Sequence, residues 1–239
     1  MKIYAYSEKG PNKKENEDRI AVNKTILTSG FFFDELENGF VAIADGVGGN
    51  NAGAIASHFV ATELGESNRS VDDLKNINAK LIAQSKNNLD KVGMATTLAM
   101  VEFGKNDLRL VYVGNTRIYL LNNGKYLKRL STDDTTLEYL LSTGRITEEE
   151  VESFDRKNEI TACFGGGNPN LLSLKETIHS FNSSPFLITS DGIHDYLTVD
   201  EMEDLLSSNY DLSDKLKGLV KQARKNGSND DASVVLGVF

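Results

Sequence analysis

Short apolar runs, many of them rich in β-branched and aromatic residues, recur along the chain and predict β-strands. An Asn123-Gly124 pair separates two such runs in the middle of the chain. Both turn residues tolerate a positive φ, so the pair predicts a tight hairpin between antiparallel strands. The predicted strands cover residues 3–6, 20–22, 40–44, 97–103, 108–113, 118–122, 126–130, 186–189 and 233–238.

Apolar residues at helical spacing predict two amphipathic helices between the early and the middle strands. The first pattern covers residues 52–64. The second covers residues 74–89 and follows a Ser70-x-x-Asp73 sequence, which is typical of a capped helix start. Later helix starts are predicted at Thr147, at Thr198 and near Ser213.

The order of these elements favours an α+β fold. Antiparallel strand runs with amphipathic helices between them are typical of two stacked sheets that are covered by helices on the outside. A mostly parallel α/β fold is the alternative. Because no linker, low-complexity tract or internal repeat divides the sequence, a single domain over residues 1–239 is predicted.

Composition and charge narrow the possible partners. The chain has 35 acidic and 26 basic residues, a formal net charge of −9, which repels a polyanion, so nucleic acid is not an expected partner. No apolar stretch reaches the roughly 18 uncharged residues that a membrane helix needs, and the first residues lack a signal-peptide core. The expectation is a cytoplasmic protein without a membrane partner.

Cys163 is the single cysteine, which excludes an internal disulfide framework and a thiolate-rich zinc site. Any metal ion must then be held mainly by oxygen. Cysteine-dependent phosphatase chemistry also needs an arginine six positions after the nucleophile, where this chain has Pro169. A dinucleotide-binding glycine motif fails as well, since its third glycine position is Asn51. Of the histidines, only His194 lies near a candidate carboxylate.

Carboxylates next to the ends of predicted strands are the candidate functional groups of the chain. If such groups converge without a cation they repel one another, so the cluster must bind metal or take up protons. Ligation by oxygen alone selects Mg²⁺ or Mn²⁺, and two such ions about 3.5 to 4 Å apart can share one activated water. The strand-end carboxylates are Asp18, Asp45, Asp191 and Asp230.

Seven short motifs, taken in order, cover nearly the whole chain. They are Asn16-Glu17-Asp18, Asp45-Gly46-Val47-Gly48-Gly49, Gly93-Met94-Ala95-Thr96-Thr97, Val113-Gly114-Asn115-Thr116-Arg117-Ile118-Tyr119, Leu130-Ser131-Thr132-Asp133, Thr189-Ser190-Asp191-Gly192 and Gly227-Ser228-Asn229-Asp230. At these residues the sequence resembles the metal-dependent serine/threonine protein phosphatases of the PPM, or type 2C, family. A segment at about 132–165 resembles the flap subdomain of the bacterial branch, and we call it the flap segment.

The resemblance implies a four-layer α/β/β/α sandwich with a site for two Mn²⁺ or Mg²⁺ ions at one end. By position, Asp45 would bridge both ions, the Gly46 carbonyl would bind one, Asp191 and Asp230 would bind the other, and Asp18 would act through coordinated water. A water activated between the ions would attack phosphoserine or phosphothreonine in line, without a covalent intermediate. The implied partners are phosphoprotein substrates and a serine/threonine kinase that shares them.

This chain departs from the family pattern at several positions. Lys13 stands where the family has an arginine that grips phosphate, and it offers a point charge in place of a bidentate fork. Asn115 replaces an aspartate associated with a third metal, which weakens the case for a third ion. Ala162 replaces a flap arginine, and Asp231 replaces an asparagine, which leaves Asp230 and Asp231 as alternatives for one ligand.

Lys13 and Asn115 also leave a second function open. A phosphatase-like domain could bind phosphoproteins and regulate a partner without turning over substrate.

Overall fold

The structure is a computed structural model that describes residues 1–48, 52–86, 92–104, 107–156, 158–180 and 184–239. All of the predicted strands are present in these ranges. The strands are β1 (Lys2–Glu8), β2 (Asp18–Val22), β3 (Thr25–Leu27), β4 (Gly30–Glu35), β5 (Gly39–Val47), β6 (Ala95–Thr96), β7 (Leu98–Phe103), β8 (Asp107–Val113), β9 (Arg117–Asn122), β10 (Tyr126–Arg129), β11 (Phe164–Gly165), β12 (Lys175–Ser180), β13 (Phe186–Thr189) and β14 (Ala232–Val238).

The strands form two antiparallel sheets. One has the order β10-β9-β13-β14-β1-β4, and the other has the order β11-β6-β5-β7-β8-β12, with β2 and β3 joined to it through β5. Neighbouring strands run antiparallel in every recorded pairing, including β13 with β14 and β2 with β5. The mostly parallel alternative is therefore wrong.

Helices cover the outer face of each sheet. α1 (Ala52–Glu66) and α2 (Val71–Lys86) cover one sheet, and α4 (Asp191–His194), α5 (Val199–Ser207) and α6 (Leu212–Lys225) cover the other, whereas α3 (Thr136–Ser142) lies in the flap segment. The helix predicted over residues 74–89 is α2, and its predicted end at Leu89 lies outside the described residues, as does Gly49 of the glycine-rich motif.

Three apolar clusters separate four layers. One lies between α1, α2 and the sheet that contains β5. A second fills the space between the two sheets, with Ile43 and Ile188 on opposite sides. The third lies between the other sheet and α4, α5 and α6. This arrangement confirms the predicted α/β/β/α sandwich.

Local signals in the sequence correspond to observed turns and caps. Asn123 and Gly124 have φ values of 53° and 65°, which lets β9 and β10 form the predicted hairpin. At α5 the Thr198 hydroxyl accepts a hydrogen bond from Glu201 N–H, and the Glu201 carboxylate accepts one from Thr198 N–H. This reciprocal capping box satisfies two free donors at the helix start.

The flap segment leaves the sandwich after β10 and returns to it before β11. It contains α3 and a 3₁₀ helix, Glu148–Ser153, which begins after the predicted start at Thr147. Its two ends are joined by a bridge between Thr135 and Ile160. None of the helices within the described ranges combines the length and apolar character needed to cross a membrane.

Candidate active site

Strand ends from both sheets bring the predicted carboxylates together. Asp18 begins β2 and lies opposite Asp45 in the antiparallel register with β5. Asp191 begins α4 directly after β13, and Asp230 precedes β14, the neighbour of β13. The two sheets meet at Ser190, whose hydroxyl donates to Asp18 Oδ2 at 2.8 Å.

Asp18 is fully buried and carries an unsatisfied oxygen. Burial, followed by the negative charges of Asp231 and Asp191, raises the pKa of Asp18 to about 7, although hydrogen bonds from Ser233 and Ser190 act in the opposite direction. Its Oδ1 atom is buried and has no hydrogen-bond partner among the described residues. A buried carboxylate oxygen without a partner is costly, so this position calls for a cation or a proton.

Asp45 and Asp191 lie side by side. Burial, followed by the charges of Asp191, Asp18 and Asp230, raises the pKa of Asp45 well above its ordinary value. Burial and then the charge of Asp230 raise the pKa of Asp191, whereas hydrogen bonds from Asn115 and Asp45 lower it. Each carboxyl group therefore resists ionisation, first because it is buried and then because the other carboxylates are close.

Asn115 and Gly46 support these carboxylates from either side. Asn115 Nδ2 donates to Asp191 Oδ2 at 3.0 Å, and Asn115 Oδ1 is buried without a hydrogen-bond partner in the described part of the chain. Gly46 N–H donates to the Glu17 carbonyl at 3.2 Å. The turn after Asp45 is thus tied to the segment that leads into Asp18.

Asp230 and Asp231 have different surroundings. Asp231 is 2% exposed, and its two oxygens accept hydrogen bonds from the backbone N–H groups of Gly10 at 2.8 Å and Glu17 at 2.7 Å. The Asp230 side chain is 44% exposed and pairs with Lys13. Both oxygens of Asp231 are therefore occupied in holding the backbone, which favours Asp230 as the group available to a ligand.

The donor set fits hard divalent cations. Carboxylates from three separate parts of the chain repel one another here, and Asp18 Oδ1 lacks a partner, as expected of oxygens that share an ion. Within the described ranges, however, no group of three or more Asp, Glu, His or Cys side chains is arranged to hold an ion as it stands. The Lys13 ammonium group contacts Asp230, and the Asn115 amide contacts Asp191.

A cavity of about 770 Å³ opens beside Asn115 and extends under the flap segment. Its lining includes Arg117, Asp133, Leu141 and Asp195. Arg117 pairs with Asp133 at 2.8 Å, and burial with the charge of Asp191 raises the pKa of Asp195 to about 6. The cavity is polar and lies next to the carboxylates, so a residue bound there would be presented to them.

Sequence reasoning assigned no role to Ser190, Arg117 or Asp133, although each lies inside a quoted motif. Position within those motifs was the only signal for them, because the Ser190–Asp18 contact joins the two sheets and the Arg117–Asp133 pair depends on the path of the chain after β10. Cys163 is buried, and burial followed by the charge of Asp134 raises the pKa of its thiol to about 11. His194 is buried too, with Nδ1 at 2.8 Å from Thr189 Oγ1.

Comparison with known proteins gives consistent matches over nearly the whole chain. A family model described as protein phosphatase 2C matches residues 29–236. The serine/threonine phosphatase stp of Listeria welshimeri is 26% identical over 249 residues, which cover 96% of this chain and 92% of that protein.

Solved structures share the fold. Stp1, a serine/threonine phosphatase from Staphylococcus aureus, superposes with a TM-score of 0.84 at 25% identity and covers 99% of this chain and 94% of its own. The catalytic domain of the serine/threonine protein phosphatase PstP, in complex with two manganese ions, has a TM-score of 0.78 at 26% identity and covers 99% and 98%.

Proposed function

This chain belongs to the protein phosphatase 2C family, and from that premise we propose that it hydrolyses phosphoserine and phosphothreonine esters in proteins at the carboxylate cluster. The enzyme class, a protein serine/threonine phosphatase, follows from the family and from relatives that carry that name. The observation that carries the proposal is the convergence of Asp18, Asp45 and Asp191 from separate elements, each with a raised pKa.

Two divalent cations, Mn²⁺ or Mg²⁺, would be held by this cluster. In the proposed assignment Asp45 and the Gly46 carbonyl contact the ions together with Asp191 and Asp230, and Asp18 acts through coordinated water. The PstP domain with its two manganese ions supports this number. When bound, the ions would lower the pKa of water and neutralise charge on the phosphate.

The side chains around the cluster would position the phosphate ester and exclude a covalent route. Asn115 holds the Asp191 carboxylate in one orientation. Lys13 supplies a positive charge at the edge of the site. The buried Cys163, with its raised thiol pKa, is a poor nucleophile. Direct attack by water therefore agrees with the groups present.

The substrate would be a phosphoprotein, and a serine/threonine kinase would supply it. Residues next to the phosphorylated position would occupy the cavity under the flap segment. The net charge of −9 disfavours nucleic acid as a partner. A single domain over residues 1–239, with the flap segment as a subdomain, and a cytoplasmic location complete the proposal.

Phosphate release from a phosphothreonine peptide and from p-nitrophenyl phosphate, with Mn²⁺ and with chelator, tests the function. We expect phosphate release with Mn²⁺ and none with chelator. Asp45→Ala and Asp191→Ala should each lose more than about tenfold of the activity, as expected when a metal ligand is removed. Asp155→Asn, which removes one exposed negative charge, is the matched control. A folded protein that binds the peptide without releasing phosphate would instead be a phosphoprotein-binding domain.

A further inference from the structure

A lysine ammonium group lies against several carboxylates at the edge of the cluster. Lys13 Nζ is 2.5 Å from Asp230 Oδ1, 3.2 Å from Asp231 Oδ2 and 3.2 Å from Glu17 Oε2. The Lys13 side chain is 28% exposed, so solvent screens these contacts only in part. A single ammonium group thus pairs with carboxylates from both ends of the chain.

The backbone around Lys13 is fixed at several points. Gly10 N–H donates to Asp231 Oδ1 at 2.8 Å, and Lys13 N–H donates to the Gly10 carbonyl at 3.1 Å. The Lys9 ammonium group donates to the Lys13 carbonyl. The fold therefore aims Lys13 at the cluster.

The charge of Lys13 acts on more than its direct partners. Burial and neighbouring carboxylates raise the pKa of Asp45 and of Asp191, and the Lys13 charge opposes both increases. Burial also disfavours the charged ammonium group, but hydrogen bonding and charge from Asp230 and Asp231 outweigh that effect and raise the pKa of Lys13. The geometry agrees with this, since the Lys13 ammonium group is within ion-pair distance of three carboxylates.

We propose that Lys13 is the internal counter-cation of this cluster, and that a divalent cation arriving at Asp230 displaces the ammonium group from that carboxylate. The inference rests on the proposed function, which places ions at these residues. Asp230 Oδ1 already accepts hydrogen bonds from Lys13 and from Asp231 N–H. A divalent cation and an ammonium group on one carboxylate repel each other strongly at such short separations.

Once displaced from Asp230, the Lys13 ammonium group can contact a phosphate group instead. The freed ammonium group stays on a loop that Asp231 still anchors through Gly10. It is then a cation at the rim of the loaded site, available to a phosphate oxygen. Loading of the ion and binding of phosphate are linked through Lys13 in this way.

The test is the Mn²⁺ dissociation constant in phosphate-free buffer, measured from the electron paramagnetic resonance signal of free Mn²⁺. Lys13→Gln removes the competing charge, so we expect it to bind Mn²⁺ about tenfold more tightly than the wild type. In chelator the same variant should melt at a lower temperature, because three ion pairs are lost. Saturating Mn²⁺ should reduce that difference, because the wild type then lacks the Lys13–Asp230 pair as well.

Lys14→Gln is the matched control, since Lys14 is the exposed neighbour of Lys13 and the charge change is the same. It should leave the Mn²⁺ affinity and the melting temperature close to those of the wild type. A Lys13→Gln affinity equal to or weaker than that of the wild type would overturn the proposal, while leaving the phosphatase function intact if Mn²⁺ still supports turnover.

A crystal structure of the wild type with Mn²⁺ provides a second test that needs no variant. We expect Lys13 Nζ to lie beyond the roughly 4 Å limit of an ion pair from Asp230 Oδ1. Bound Mn²⁺ together with an intact Lys13–Asp230 pair would overturn the inference alone. Complete failure to bind Mn²⁺ would overturn both the inference and the proposed metal chemistry.

Discussion

Lys13 and Asp231, two residues that depart from the family pattern, contact each other at 3.2 Å. An asparagine at position 231 would have one acceptor oxygen, whereas the carboxylate accepts from both Gly10 N–H and Glu17 N–H. The added negative charge of the carboxylate is balanced by Lys13. Because an arginine would carry the same positive charge as Lys13, only the change at position 231 alters the charge of the cluster. Neither departure removes a carboxylate from it.

Asn115 is expected to stabilise the metal-free site because its side chain is neutral. In Asn115→Asp the amide that donates to Asp191 becomes another carboxylate, so the two groups repel in chelator. We expect the free energy of unfolding without metal to fall by about 1–3 kcal/mol. Calorimetry in chelator measures the loss, and Asp155→Asn again controls for a change of one charge.

With Mn²⁺ the same Asn115→Asp substitution should raise the number of bound ions by one, because the new carboxylate adds an oxygen donor. Equilibrium dialysis gives the stoichiometry. An unchanged number of ions, together with unchanged stability in chelator, would show that Asn115 does not face the cluster in solution.

The pKa of Asp18 predicts an unusual pH dependence of the metal-free protein. Burial raises this pKa from 3.8 to about 7 in the folded state. Between these values the folded carboxyl group keeps a proton that the unfolded chain has lost, so stability falls as the pH rises from about 4 to about 7. Melting temperatures in chelator across this range should decrease.

Asp18→Asn removes the titrating group, so its melting temperature should depend less on pH over the same interval. Asp155→Asn should follow the wild type. If Asp18→Asn keeps the full slope, the buried carboxyl group is not its source.

At the scale of elements, the start of α4 is packed directly against the approach to β14. A Cβ atom on Gly192 would lie 1.9 Å from the Asp231 carbonyl oxygen, so only glycine fits there. Ser228 Oγ also donates to the Gly192 carbonyl at 2.7 Å. This contact fixes the distance between Asp191 and Asp230.

Gly192→Ala is therefore expected to lower activity by more than about tenfold, since backbone must move next to two proposed ligands. Gly218→Ala is the matched control in α6, where the new Cβ would meet Leu205 Cδ2 at an ordinary 3.6 Å. That change should be neutral or stabilise by up to about 1 kcal/mol. Phosphatase assays and thermal melts of both variants test these expectations. Equal activities of Gly192→Ala and Gly218→Ala would contradict the packing argument.

The central strands could be predicted from the sequence, whereas several edge strands could not. β5 and β14 are buried on both faces and have continuous apolar runs. β4 and β12 are mostly exposed and lie at the edges of their sheets. β4 has three consecutive phenylalanines and β12 is mostly polar, so neither shows the alternation that predicts a strand.

At the scale of the whole molecule, the sequence predicted which residues form the candidate site but not how they are arranged. Carboxylates at strand ends indicated Asp18, Asp45, Asp191 and Asp230, and the structure brings all of them to one end of the sandwich. The link through Ser190 and the position of Lys13 depend on how the sheets are stacked. No local pattern encodes that stacking.

Metal should stabilise the whole molecule, because cations relieve repulsion that the fold imposes. A single site at a hundredfold excess over its dissociation constant adds about 2.7 kcal/mol. For a chain of this size that corresponds to a rise in melting temperature of roughly 5–11 °C. Differential scanning calorimetry with Mn²⁺ and then with chelator tests it, and Asp191→Asn should reduce the rise. An identical melt in both conditions would contradict a metal site here.

The pairing of β1 with β14 affects when the molecule can fold. These strands are paired from Lys2 with Val238 to Glu8 with Ala232, and β14 also pairs with β13. A ribosome makes β14 after every other strand described, yet β14 lies between two strands of its sheet. The nascent chain can close neither that sheet nor the carboxylate cluster until the residues of β14 leave the exit tunnel, so catalytic competence is expected only after that strand has been made and released.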